Sequence, residues 1–124
     1  MKPFCALLID DEEELVSTLQ ERLEFRGIEA EFYTNGHDAI ARARERDFDV
    51  VILDLKMPGM SGLEAFSILK ADHPNVPIIF ITGHGKPSEE QIDVPTGAFD
   101  YLPKPVSLEI LIQRMQDAVE ASNE

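Results

Sequence analysis

The sequence predicts an α/β fold with a parallel sheet that is covered by helices on both faces. Five short apolar runs alternate with segments of helical periodicity, and this alternation is typical of parallel sheets with crossover helices. Two runs, Val50–Leu53 and Ile78–Ile81, are almost wholly apolar, as central strands buried on both faces should be. With 124 residues and 44% hydrophobic residues, the chain is expected to form one domain, 1–124.

The apolar runs give the strands in order, and the segments between them give the helices. The predicted strands are Phe4–Ile9, Glu29–Tyr33, Val50–Leu53, Ile78–Ile81 and Phe99–Leu102. The helical apolar positions are Leu15, Leu19 and Leu23, then Ala39, Ile40 and Ala43, then Leu63, Phe66, Ile68 and Leu69, and finally Leu108, Leu111, Ile112, Met115 and Val119. The second helix follows a turn-like Asn35-Gly36, and Ser107 is the expected N-cap of the last helix.

The segment 86–96 is the weakest of the helical segments. Ser88 could cap a helix there, but Pro95 should end it after about two turns, since proline lacks the backbone N–H that a helix requires. We therefore expect a short or irregular fourth helix.

Charge and composition exclude several classes of function. The net charge of −13 weighs against binding of nucleic acid or of an anionic membrane surface, because phosphate groups are bound mainly by Lys and Arg side chains. No apolar run approaches the roughly 20 residues of a membrane helix, and the N-terminus does not resemble a signal peptide. The single cysteine, Cys5, fits a reducing, cytoplasmic setting and is expected to be a buried, inert thiol.

Polar residues follow the predicted strands at the points where those strands end. Asp10 and Asp11 end the first strand, Asp54 ends the third, Thr82 ends the fourth and Lys104 follows the fifth. Because the carboxyl ends of parallel strands meet at one edge of the sheet, we expect these side chains to converge. Three carboxylates, a hydroxyl and an ammonium suit one hard cation and one phosphoryl group.

The chemistry of this group depends on its charges. Adjacent carboxylates repel unless a cation lies between them, and Mg²⁺, or alternatively Mn²⁺, prefers such oxygen ligands. Asp54 could then accept a phosphoryl group as a mixed anhydride, with Lys104 neutralising its charge and the Thr82 hydroxyl donating a hydrogen bond. Taken singly, Asp11 could cap the first helix, Thr82 could cap a loop and Lys104 could be a surface lysine. The spacing of all five residues across the strand ends favours a shared cation and phosphoryl site over these separate roles.

Four segments together resemble the receiver domain of bacterial two-component response regulators. They are Leu8–Glu12, Leu53–Gly62, Ile81–Gly85 and Gly97–Pro105. The resemblance implies a flavodoxin-like (βα)5 fold with a five-stranded sheet of order 2-1-3-4-5.

The resemblance also implies a role for each matching residue. Asp54 would be the phosphoacceptor. Asp11 would contact Mg²⁺ directly, Asp10 would do so largely through water, and Lys56 would offer its backbone carbonyl.

The resemblance implies a conformational switch as well. Thr82 would hydrogen-bond the phosphoryl group, Lys104 would pair with it, and Tyr101 would swing inward behind Thr82. The Lys104–Pro105 peptide would be cis, which X-Pro bonds permit.

Two further positions are candidates for setting the lifetime of the phosphoryl group. Lys56 and His84 each lie two residues beyond a site residue, and in this family such positions flank the route of the attacking water. We hypothesise that both influence autodephosphorylation.

The leading hypothesis is a phosphorylation-dependent signalling switch rather than an enzyme. A sensor histidine kinase or a histidine phosphotransfer protein would donate the phosphoryl group, and the domain would assist its own phosphorylation and dephosphorylation. The altered surface would act on a protein target or on an output domain outside this chain. Whether the chain is a stand-alone receiver or an excised one stays open.

Two other classes of protein fit the fold less well. An aspartate-nucleophile phosphatase would need a second acid two residues after Asp54, where the chain has Lys56. A flavin carrier would need a first loop that cradles phosphate, whereas the acidic run 10–14 would repel it. Within the receiver family, the departure at 86–96 puts the usual dimer through the fourth helix in doubt.

Overall fold

The computed structural model describes residues 3–83 and 97–123, which include a five-stranded parallel sheet of order β2-β1-β3-β4-β5. The strands are β1 (Cys5–Ile9), β2 (Glu29–Tyr33), β3 (Val50–Asp54), β4 (Ile78–Thr82) and β5 (Asp100–Pro103). The helices are α1 (Glu13–Phe25), α2 (Gly36–Glu45), α3 (Gly62–Asp72) and α4 (Leu108–Ser122). The predicted fold and strand order are confirmed, and every strand begins and ends within one residue of its prediction.

The strand register brings the carboxyl ends of the central strands to one edge of the sheet. Ile9 of β1 lies opposite Leu53 of β3, and Asp54 of β3 lies opposite Ile81 of β4. All five residues of β1, of β3 and of β4 are buried, because helices cover both faces of the central strands.

The helices divide the apolar core into two layers. Side chains of α1 and α4, including Val16 and Met115, pack on one face of the sheet. Those of α2 and α3 pack on the other face, where the rings of Phe66 and Phe80 lie 5.3 Å apart between centroids. Together the two layers fix the sheet edge that carries the polar residues.

Three helices begin with a side-chain cap. Asn35 accepts a hydrogen bond from the backbone N–H of Asp38, Ser61 forms a capping box with Glu64, and Ser107 caps α4 as predicted.

The start of α1 differs from the expectation that Asp11 could cap it. The N-cap residue is Glu12, and its side chain makes no capping hydrogen bond. The carboxylate of Asp10 instead accepts a hydrogen bond of 3.0 Å from the backbone N–H of Glu12. The loop after β1 is thus ordered by the first acid of the run and not by the second.

Of the three apolar positions predicted for α1, two are confirmed and one is wrong. Leu23 is fully buried and Leu19 packs against the core, but Leu15 is 46% exposed and Val16 is buried in its place. The predicted fourth helix at 86–96 lies outside the described residues. Within the described ranges, no helix combines the length and apolarity that a bilayer crossing requires.

Candidate functional site

The strand ends bring three carboxylates together at the predicted edge of the sheet. Asp10 and Asp54 are buried, with 2% and 3% of their surfaces exposed. One oxygen from each of Asp10, Glu12 and Asp54 lies within 4.8 Å of the others. Asp11 is exposed and is not a member of this group of three, although it was predicted as a direct metal ligand.

Glu12 is the residue that the sequence analysis missed. In the sequence, Glu12 lies in the acidic run 10–14, where its neighbours have the same charge, and at the end of the segment Leu8–Glu12 that resembles the receiver family.

Lys104 reaches this carboxylate group from the loop after β5. Its ammonium nitrogen lies 2.8 Å from Glu12 Oε1, 2.9 Å from Asp10 Oδ2 and 3.5 Å from Asp54 Oδ2. Its backbone N–H donates to the carbonyl of Thr82 at 2.6 Å, which ties the loop to the end of β4. The peptide between Lys104 and Pro105 is cis, as the resemblance implied.

Burial and charge act in opposite directions on the two central groups. The pKa of Asp54 is raised to about 6, because burial and the negative charge of Asp10 both raise it by more than the Lys104 ammonium lowers it. For Lys104, burial alone would lower the pKa, but hydrogen bonds to Glu12 and Asp10 outweigh it and raise the pKa above its usual value. Lys104 is therefore a permanent cation, whereas Asp54 carries an unfavourable charge at neutral pH.

Thr82 and Tyr101 lie on neighbouring strands next to this group. Thr82 ends β4 and is fully buried, and its register partner in β5 is Pro103. Tyr101 pairs with Phe80 in the ladder and packs, half-buried, against the core layer of α2 and α3. Thr82 thus lies at the end of β4, beside the carboxylate group. Tyr101 lies on the neighbouring edge strand, β5.

The loop after β3 holds Asp54 closely. The backbone N–H of Lys56 donates to Asp54 Oδ1 at 3.2 Å, and the side chain of Lys56 is exposed. Gly62, at the start of α3, packs so tightly on this loop that a Cβ there would lie 2.3 Å from the carbonyl oxygen of Asp54. His84, the other candidate for setting lifetime, lies outside the described residues.

An apolar cavity adjoins the site on the side of α1. Its volume is about 430 Å³, and Asp10, Glu12 and Lys104 contribute to its lining. The rest of the lining is mainly aliphatic and comes from five elements, from the residue after β4 and from the loop before α4: Leu8, Ile9, Leu15, Val16, Leu19, Ile52, Ile81, Gly83, Pro105, Val106 and Leu111. Leu15, which is 46% exposed, is part of this lining.

Comparison with known proteins agrees with this geometry. The sequence profile of the response regulator receiver domain matches residues 6–116. The chain belongs to this family. Receiver domains are the signalling domains of two-component systems, and phosphorylation and Mg²⁺ binding are general properties of the family. The prediction of a phosphorylation-dependent signalling switch is therefore confirmed at the level of the family.

Individual relatives are similar over almost the whole chain. The response regulator MprA of Mycolicibacterium vanbaalenii is 34% identical over 92% of this chain and 49% of its own length. The C4-dicarboxylate transport transcriptional regulatory protein DctD of Rhizobium meliloti is 34% identical over 91% of this chain and 25% of its own length. The chain thus spans about half the length of the first of these curated relatives and about a quarter of the length of the second.

Solved structures give the same result for the fold. A response regulator receiver domain from Clostridium thermocellum superposes with a TM-score of 0.88 and is 30% identical, with 97% of each chain covered.

Proposed function

We propose that this chain accepts a phosphoryl group on Asp54 and that its partner-binding surface changes as a result. The observation that carries the proposal is a buried carboxylate at the end of a central strand, with a second acid and a lysine ammonium beside it. Burial disfavours the charged form of Asp54, so a bound cation would relieve an existing electrostatic cost and would also offset the further negative charge that a phosphoryl group brings.

The residues present fit a divalent cation. Asp10 and Asp54 supply buried carboxylate oxygens whose mutual repulsion raises the pKa of Asp54, and oxygen ligands of this kind suit Mg²⁺ or Mn²⁺. We assign Asp10, Asp11, Asp54 and the backbone carbonyl of Lys56 to hold the ion. When bound, it would supply positive charge to the phosphoryl oxygens. The exposed Asp11 side chain would have to turn towards the site.

The transfer itself needs positioning more than covalent chemistry. A carboxylate oxygen of Asp54 forms a bond to phosphorus while the bond from phosphorus to the donor histidine nitrogen breaks, and the electron pair stays on the imidazole. The Lys104 ammonium would neutralise negative charge on the phosphoryl oxygens, and the hydroxyl of Thr82 would donate a hydrogen bond to one of them. The domain would thus assist its own phosphorylation. It would also assist the later hydrolysis of the acyl phosphate, and we assign Lys56 and His84 to influence the rate of that step.

The signalling change would run from Thr82 to Tyr101. As Thr82 moves to the phosphoryl group, Tyr101 would turn inward, which shifts the population between two existing states of the domain. The donor would be a sensor histidine kinase or a histidine phosphotransfer protein in the cytoplasm. The recipient of the signal would be a protein target or an output domain outside this chain.

Intact mass spectrometry tests the proposal. The protein would be incubated with acetyl phosphate in Mg²⁺, in EDTA, and as the Asp54→Asn variant. A metal-dependent gain of one phosphoryl group that is absent from Asp54→Asn would support it. A gain that persists in Asp54→Asn would refute the assignment of the acceptor.

A further inference from the structure

Lys104 is held by a carboxylate that has no part in the proposed transfer. Its two shorter contacts, 2.8 and 2.9 Å, go to Glu12 and Asp10, while Asp54 lies at 3.5 Å. A hydrogen bond to an ammonium weakens as it lengthens, and 3.5 Å is beyond the usual range. Lys104 is therefore paired mainly with Glu12 and Asp10, and only weakly with the phosphoacceptor.

Glu12 is placed for this contact by the way α1 begins. The hydrogen bond from its backbone N–H to Asp10 turns the chain back after β1. As the N-cap residue it directs its carboxylate to Lys104 rather than to the backbone of α1. The contact joins residues 92 positions apart and links the start of α1 to the loop after β5.

We propose that Glu12 is a positioning residue that competes with a phosphoryl group on Asp54 for Lys104. This inference rests on the proposed function. When Asp54 takes up a phosphoryl group, Lys104 has to exchange its contact with Glu12 for one with a phosphoryl oxygen. The attraction of Glu12 opposes that exchange, so Glu12 shifts the balance towards the unphosphorylated arrangement.

The size of the effect follows from exposure. The side chain of Glu12 is 60% exposed, and that of Lys104 is 14% exposed. Exposed ion pairs contribute little because water and salt screen them. Loss of the Glu12 charge should therefore strengthen uptake of a phosphoryl group about two- to fivefold.

Glu12 also has a second reading, as a ligand of the metal ion, since its oxygen lies within 4.8 Å of those of Asp10 and Asp54. The two readings predict opposite results. Removal of a metal ligand would weaken the uptake of both the metal ion and a phosphoryl analogue. Removal of a competitor for Lys104 would strengthen the uptake of the analogue when Mg²⁺ is saturating.

The test compares Glu12→Gln with Glu13→Gln. Both changes remove one negative charge from the start of α1, and the described ion pairs of Lys104 include Glu12 but not Glu13. Binding of beryllofluoride, a phosphoryl analogue, would be measured by calorimetry at saturating Mg²⁺. We expect about two- to fivefold tighter binding in Glu12→Gln and no change in Glu13→Gln.

A second readout follows Lys104 directly. In the metal-free protein, the NMR signal of its ¹⁵Nζ group should shift in Glu12→Gln and stay unchanged in Glu13→Gln. Equal affinities in the two variants, or weaker binding in Glu12→Gln, would overturn the inference while the proposed function stands. A wild-type protein that takes up no beryllofluoride would contradict both this inference and the proposed function.

Discussion

At the scale of single residues, the main feature of the site is that burial makes the charged form of Asp54 unfavourable. The pKa of this carboxyl is raised to about 6 in the folded protein, so the folded state binds its proton more tightly than the unfolded chain does. The stability that this group contributes is complete below its ordinary pKa of 3.8 and is lost as the pH rises through about 6.

The Asp54→Asn variant should therefore be more stable than the wild type at neutral pH. In EDTA we expect a difference on the order of 2 kcal/mol above pH 7, which should shrink towards zero near pH 4. Urea unfolding across this range measures it, with the exposed Asp47→Asn as a control. A variant that is less stable than the wild type at pH 7 would contradict the assigned cost.

Lys56 offers a second prediction at this scale. Its side chain is exposed beside the loop that holds Asp54, and truncation would open the approach of water to the phosphoryl group. We expect Lys56→Ala to lose its phosphoryl group severalfold faster than the wild type, as followed by intact mass after removal of the donor. Lys70→Ala, a lysine on α3, is the control. Equal half-lives for Lys56→Ala and the wild type would contradict a role of Lys56 in setting the lifetime of the phosphoryl group.

At the scale of elements, the junction between β3 and α3 sets the position of the acceptor. Gly62→Ala would place a Cβ 2.3 Å from the carbonyl oxygen of Asp54 and 2.7 Å from Leu55 Cα, and neither backbone atom can move without moving the site. We expect a loss of about 3 kcal/mol in stability and slower phosphorylation by acetyl phosphate.

Gly83→Ala is the matched control for that variant. The nearest atom to its added Cβ is the Lys104 Cδ at 3.7 Å, an ordinary contact, so stability should be unchanged. Urea unfolding of both variants decides the matter, because equal stabilities would show that the β3–α3 junction tolerates displacement.

The edge strand β2 is stabilised by ion pairs with α2. Glu31 accepts hydrogen bonds from Arg42 at 2.8 and 3.0 Å, and Arg46 also pairs with it. Hydrogen bonds from Arg42 first, and then from Arg46 and Tyr33, lower the pKa of Glu31 to about 2 in spite of partial burial. These outward-facing charges also make β2 a poor template for pairing with another chain.

Glu31→Gln should destabilise the protein by about 1 to 2 kcal/mol at pH 7. Because the pKa of Glu31 is lowered in the folded state, its contribution is complete above the ordinary value of 4.5 and disappears as the pH falls through about 2. Unfolding midpoints of wild type and variant should therefore converge in acid. A constant difference down to pH 2 would assign the effect to packing instead of charge.

Strands can be predicted from this sequence more closely than contacts between loops, for a physical reason. Strands such as β3 were predicted to within one residue because continuous burial requires continuous apolar residues. The pairing of Glu12 with Lys104 left no such trace, since a single acid in an acidic run carries no periodicity that points to a residue 92 positions away. Leu15 was predicted to lie in the core, but Val16 takes that place, because Val16, Leu19 and Leu23 lie on one face of α1 at helical spacing.

At the scale of the whole molecule, the net charge of −13 is a general source of instability. Repulsion among 24 acidic and only 11 basic side chains opposes the compact state, and salt screens it. Part of that repulsion is concentrated at the carboxylates around Asp54, where a divalent cation would relieve it far more than general screening does. These two contributions can be separated by the choice of salt.

Added salt should raise the melting temperature, and MgCl₂ should raise it more than NaCl at equal ionic strength. The rise that both salts produce reflects screening of charge, while the additional rise in MgCl₂ reflects binding of Mg²⁺ to the folded state. Such binding adds about 2.7 kcal/mol to the free energy of unfolding when Mg²⁺ is at 100 times its dissociation constant. Differential scanning calorimetry would measure both. In Asp54→Asn the excess should fall sharply while the response to NaCl is kept, because that variant loses one ligand of the ion but keeps nearly all of the charge. An equal excess in both proteins would place the bound Mg²⁺ elsewhere on the acidic surface and would contradict the metal site at the end of β3.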